Sequence, residues 1–149
     1  MRKMRLEELR EEKEYNKKEF ATIIGVSDSI YSRWESGKEI IPTRRIYQIA
    51  TYYGVNIDYL LGFTSKRLTI NPIKEIDLKI VSERVKEIRN DFKETLRTFS
   101  NRLNTSNSTW SAYETGKVLI LSAFLLEVCE IGNYSADWIL GISNEKYRE

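Results

Sequence analysis

The string YSRWESGK at 31–38 returns as WSAYETGK at 110–117, and the offset of 79 holds on both sides without a gap. Arg5 aligns with Arg84, Glu8 with Glu87, Arg10 with Arg89, Phe20 with Phe99, Ser27 with Ser106 and Glu35 with Glu114. Gly37-Lys38 aligns with Gly116-Lys117, Ile41 with Ile120, Asp58 with Asp137 and Leu61-Gly62 with Leu140-Gly141. From pair 5/84 to pair 62/141, 14 of 58 positions are identical. Others exchange like for like: Ile24/Leu103, Trp34/Tyr113, Ile49/Val128, Tyr59/Trp138. An ungapped match preserves element lengths, so it predicts two copies of one fold. Two copies are too few, and a period of 79 too long, for a solenoid.

A chain of 149 residues has room for two small domains. With 41% hydrophobic and 31% charged residues it reads as globular rather than disordered. One cysteine, Cys129, and no histidine exclude a disulfide framework and zinc sites built on thiolates or imidazoles. No apolar run approaches the ~18 residues of a membrane span. The opening MRKMRLEELREEKEY lacks the apolar stretch of a secretory signal, so a cytoplasmic protein is expected. Neither a nucleophile motif nor a phosphate-cradling glycine loop is found, so the sequence predicts no enzyme, cofactor, metal, membrane or small-molecule ligand. The net charge of +2 is unevenly placed: residues 1–70 carry 13 Lys/Arg against 10 Asp/Glu, and residues 71–149 carry 11 against 12. The first copy is thus the better partner for a polyanion.

Each copy reads as five short helices. In the first, Leu6, Leu9 and Lys13 share a face and predict a helix over about 3–14. Asn16 can cap a second helix, KKEFATII, with Phe20, Ile23 and Ile24 inward and Gly25 as its positive-φ stop. Ser27 can cap a third, with Ile30, Tyr31 and Trp34 inward and Gly37 as its end. Pro42 leads into a fourth, striped by Ile46, Ile49 and Ala50 and ended by Gly54. NIDYLLG is a fifth. Between the second and third, a helix ends at Gly25 and another begins two residues later, while small Ala21 permits a close crossing. That is the grammar of a helix-turn-helix.

FATIIGVSDSIYSRWESGKEIIP and TYYGVNIDYLLG carry a family resemblance. Residues 5–62 resemble the Cro/lambda-repressor-like, or Xre-type, helix-turn-helix family of bacterial and phage regulators. Residues 84–141 resemble it less closely. The resemblance implies an all-α protein: two five-helix lambda-repressor-like helix-turn-helix domains in tandem, joined by a short linker leading into a long helix. The expected boundaries are 1–66 for the DNA-binding domain, 67–79 for the linker and helix start, and 80–149 for a divergent copy.

In that family the third helix enters the major groove, so Asp28, Ser29, Ser32 and Arg33 are expected to read bases. Arg33 suits guanine and Asp28 a cytosine amino group. Asn16, Lys17, Lys18, Ser27, Lys38, Arg44 and Arg45 are expected on phosphates. The free N–H groups and dipole of the second helix favour anions there. Arg10 with Glu35, and Arg89 with Glu114, read as structural salt bridges.

Copy two departs from the pattern. Arg33 becomes Ala112, Lys17 becomes Leu96, Gly25 becomes Asn104, and EIIPTRR becomes VLILSAF. Asn107, Ser108, Ser111 and Lys117 remain to touch DNA, while Leu96, Val118, Leu121 and Phe124 form an expected dimer surface. Asn71-Pro72 fits a helix start, and Ile73, Ile76, Ile80, Val81, Val85 and Ile88 predict a helix over about 72–92 after a flexible stretch at 63–71. Two function classes follow. One is a repressor-like regulator that binds double-stranded DNA as a homodimer through the second copy. The other is a protein-interaction module, anti-repressor or antitoxin-like, on the same fold.

Overall fold

The structure, a computed structural model, describes residues 3–71 and 75–149. The chain divides into two compact units, residues 1–72 and 73–149. The first holds α1 (Leu6–Glu12), α2 (Lys17–Ile24), α3 (Asp28–Ser36), α4 (Thr43–Tyr53) and α5 (Ile57–Leu60). The second holds α6 (Leu78–Asp91), α7 (Leu96–Arg102), α8 (Asn107–Thr115), α9 (Ser122–Gly132) and α10 (Ala136–Ile139). Among the described residues the protein is all-α, with only isolated β-bridges beside its helices.

In the first unit α1 is shorter than expected, and its third inward residue is Arg10 rather than Lys13, which is exposed. Glu14 turns the chain at φ +59° without a glycine. Asn16 starts α2 with a capping box: its side chain accepts from the Glu19 N–H at 2.8 Å, and the Glu19 carboxylate accepts from the Asn16 N–H at 2.9 Å. Gly25, at φ +80°, ends the helix. Ile23, expected inward, is 44% exposed, and Ala21 takes the buried place. α2 packs on α3 and buries Phe20, Ala21 and Ile24, an arc that leaves Ile23 outside. The Ser27 hydroxyl accepts from the Ile30 N–H at 3.2 Å and opens α3, which buries Tyr31 and Trp34. Phe20 is fully buried, with Tyr31, Tyr52 and Tyr53 packed around its ring at 5.4, 5.6 and 5.0 Å.

The stretch expected to be flexible, 63–71, is tied down. Asn56 donates from its backbone N–H to the Leu68 carbonyl at 3.1 Å, and its side chain donates to the Lys66 carbonyl at 3.1 Å. The Ile70 N–H reaches the Gly54 carbonyl at 3.1 Å. Extended backbone here satisfies the groups left open after α4. Residues 67–70, assigned to a linker by the sequence, thus pair with the first unit.

In the second unit, Asp77 caps α6 by accepting from the Lys79 and Ile80 N–H groups. The expected start at Asn71-Pro72 falls, at Pro72, outside the described residues, as does Ile73. The described helix begins later, at Leu78, because Asp77 holds its first free donors. Val81, Val85 and Ile88 are buried as expected. Thr95 caps α7 and Ser106 caps α8. Asn104 and Asn133 both adopt φ +55°, the left-handed role that glycine fills at 25 and 54. Phe99 and Trp110 form the centre, with ring centroids 5.2 Å apart. The C-terminal stretch folds back here too: the Ser135 N–H donates to the Lys146 carbonyl, and the Arg148 N–H to the Asn133 carbonyl, both at 2.9 Å.

Candidate nucleic-acid interface

The exposed face of the first unit is built by two capped helix starts and the turn after α3. Asn16, Lys17 and Lys18 are exposed at the start of α2; Ser27, Asp28 and Ser29 are exposed at the start of α3. Farther along α3, Ser32 and Arg33 are half-buried at its edge, while Lys38 and Arg44 are exposed in the turn and at the start of α4. The Asn16 carbonyl oxygen and the Ser27 hydroxyl are already engaged as caps. They shape the helix ends; Lys17, Lys18, Lys38 and Arg44 supply the open charge.

The face is held from behind by Arg10 and Glu35. Arg10 Nη2 and Nε donate to the two Glu35 carboxylate oxygens at 2.8 and 3.0 Å, and Nη1 donates to the Tyr15 carbonyl at 2.8 Å. This clamps α1 to the end of α3. Burial alone would push the Glu35 carboxyl up; the hydrogen bonds from Arg10 outweigh it and hold the carboxyl below its ordinary range.

Arg45 does not stand beside Arg44 as an open cation. Its Nη1 donates to the Ile24 carbonyl at 2.7 Å and to Gln48 Oε1 at 2.9 Å. A helix C-terminus carries unpaired carbonyls and partial negative charge, so a nearby guanidinium is drawn to it. Arg33 is also partnered: its Nε donates to Glu39 Oε1 at 2.8 Å. Glu39 was not among the residues singled out from the sequence. The signal for it was an acid six residues after the arginine, across a Gly-Lys turn.

A helix, a glycine turn and a second capped helix lined with polar side chains make up a helix-turn-helix. Residues 4–62 match a helix-turn-helix domain family. That span takes in α1 to α5. Neither a curated protein nor a solved structure matches the chain. The match supports DNA binding by the helix-turn-helix domain.

In the second unit Arg89 Nε and Nη2 donate to Glu114 at 2.6 and 3.0 Å, and Nη1 to the Glu94 carbonyl at 2.9 Å. Asn107, Ser108 and Lys117 are exposed and Ser111 is half-buried. The Asn107 carbonyl oxygen accepts from the Ser100 hydroxyl at 2.7 Å, which turns it toward α7. Val118 and Leu121 are 49% and 59% exposed. Leu96 is half-buried. Phe124 is not an open surface residue as expected: its ring packs edge-on against Trp110 at 6.2 Å and contacts Tyr113 at 6.0 Å. A shallow depression of about 450 Å³ lies on this unit, lined by Ser108, Thr109, Ala112, Tyr113, Val118 and Leu121 among others. No charged side chain lines it.

Proposed function

We propose that the chain is a sequence-specific double-stranded DNA-binding protein, a repressor-like transcriptional regulator of the Xre type, that inserts α3 into the major groove. The observation that carries this is the capped α2–turn–α3 unit with Lys17, Lys18, Lys38 and Arg44 exposed around it. Those four cations contact phosphates while Asp28, Ser29, Ser32 and Arg33 face base edges. The second unit is a divergent copy of the same domain. Its support is the repeated Arg–Glu clamp, the repeated Ser cap and the 79-residue offset. It joins two chains through Val118 and Leu121, so that two α3 helices meet half-sites about one turn, ~34 Å, apart. The function requires no enzymatic activity.

Binding of random duplex across a salt series tests the reading. Four phosphate contacts per bound unit give a slope of about −3.6 in log affinity against log salt. Selection of sequences from a random pool then yields the operator. The uncharged depression beside α8 favours a second reading, a protein-interaction module. Absence of duplex binding even at low salt returns the protein to that class.

A further inference from the structure

The turn after α3 brings Glu39 back onto Arg33. Gly37 reverses the chain at φ +82°, and the Glu39 N–H donates to the Arg33 carbonyl at 3.2 Å. On that hook, Glu39 Oε1 accepts from Arg33 Nε at 2.8 Å. The two side chains remain 41% and 48% exposed, so the pair adds little to stability. The second unit supports this independently. Gly116 makes the same reversal at φ +79°, and the Val118 N–H points to the Ala112 carbonyl at 3.4 Å. The backbone hook therefore forms where Ala112 and Val118 stand in place of the ion pair. The turn does not need Arg33 and Glu39. Both are missing from the unit that also lacks Lys17 and Arg44, where Leu96 and Ala123 stand.

What the pair does follows from the shape of a guanidinium. With Nε engaged by Glu39, Nη1 and Nη2 are left, and among the described residues neither has a protein partner. Their two parallel N–H bonds form the fork that matches O6 and N7 of guanine. An arginine already held by one nitrogen also loses less rotamer freedom on binding. The Glu39 charge meanwhile repels phosphate of any sequence.

We propose that Glu39 is a positioning residue for base reading: it holds Arg33 by Nε and presents the Nη fork end-on to a guanine. It thereby raises discrimination while lowering affinity for DNA in general. This rests on the DNA-reading function above.

The test uses the full chain and a site selected from a random duplex pool, with each base pair then varied. The wild type discriminates one guanine from the other bases by about 5- to 150-fold, and Arg33→Ala erases discrimination at that position. Glu39→Ala cuts discrimination there several-fold, while its affinity for random duplex stays equal or rises. Glu39→Gln, whose amide oxygen still accepts from Nε, keeps the discrimination and binds random duplex more tightly than the wild type. Circular dichroism melts of all three variants match the wild type. Discrimination in Glu39→Ala equal to the wild type, or equal losses on cognate and random duplex, overturns the positioning role alone. So does Glu39→Gln behaving as Glu39→Ala. A pool that enriches no sequence overturns the DNA-reading function and this inference with it.

Discussion

Arg10 is 9% exposed, and every nitrogen of its guanidinium has an acceptor. The Glu35 side chain facing it is 4% exposed. Such a pair is costly to break, since the surviving charge stays buried without a counter-charge. Glu35→Ala should destabilise the first unit by about 3–5 kcal/mol, a large share of the few kcal/mol that hold a domain of this size. Urea unfolding followed by tryptophan fluorescence checks it through Trp34. The same pair sets an acid limit. Because the folded Glu35 carboxyl lies below its ordinary 4.5, the unfolded chain binds that proton more readily. The contribution is complete above about pH 4.5 and is lost as pH falls through the folded value. Asp91 adds a like contribution to the second unit. Burial pushes its carboxyl up, but Lys146 and Tyr134 outweigh that and hold it below its ordinary 3.8. The stability gap between wild type and Glu35→Gln should therefore narrow in acid, measured as urea midpoints from neutral pH downward. The two members of the clamp were legible in the sequence because they recur at the same offset. Its second use, the Arg10 bond to the Tyr15 carbonyl, was not, since backbone acceptors carry no sequence signature.

At the scale of the helix, two adjacent arginines do opposite work. Arg44 is exposed at the start of α4, whereas Arg45 reaches back to the end of α2. Arg45→Ala removes a charged hydrogen bond to the Ile24 carbonyl and should cost about 1.5 kcal/mol of stability while leaving the salt slope of DNA binding alone. Arg44→Ala should do the reverse, flattening the slope by about 0.9 per bound unit with the melting curve unchanged. Thermal melts and salt titrations of both variants decide it; a slope change in Arg45→Ala would return that residue to the phosphate contacts. The starts of α2 and α3 were legible from Asn16 and Ser27, because a cap acts within three residues. The inward arc of α2 was not. Ile23 fits the helical stripe as well as Ala21 does, and only the folded unit buries the one and exposes the other.

At the scale of the whole molecule, the proposed function divides the work: the first unit reads DNA and the second pairs two chains. In the proposed homodimer, Val118 and Leu121 are the exposed apolar residues that lose water on pairing. Leu121→Glu should give a folded chain that sediments as a monomer and binds its selected site more weakly. A wild type that is itself monomeric at micromolar concentration, on a site of two unlike halves, would sink the homodimer in favour of one chain using both units. Phe124→Glu is a different experiment. Its ring lies against Trp110 and Tyr113, so a charge there should unfold the second unit rather than split a dimer, and circular dichroism distinguishes the two.

The repeat, the all-helical class, the caps and the glycine stops are properties of the sequence by itself, because each acts over a few residues or recurs at a fixed offset. Other features needed the folded chain. The stretches at 66–70 and 146–148 carry no strand pattern, yet each pairs with the turn after α4 or α9 of its own unit, through backbone groups and the Asn56 and Asn133 side chains. Arg45, Phe124 and Glu39 each sit beside residues that their spacing does not name. Their roles come from carbonyls, rings and a turn that long-range packing brings within reach. Side-chain identity sets what a residue can bond to; only the tertiary structure sets which partner lies within reach.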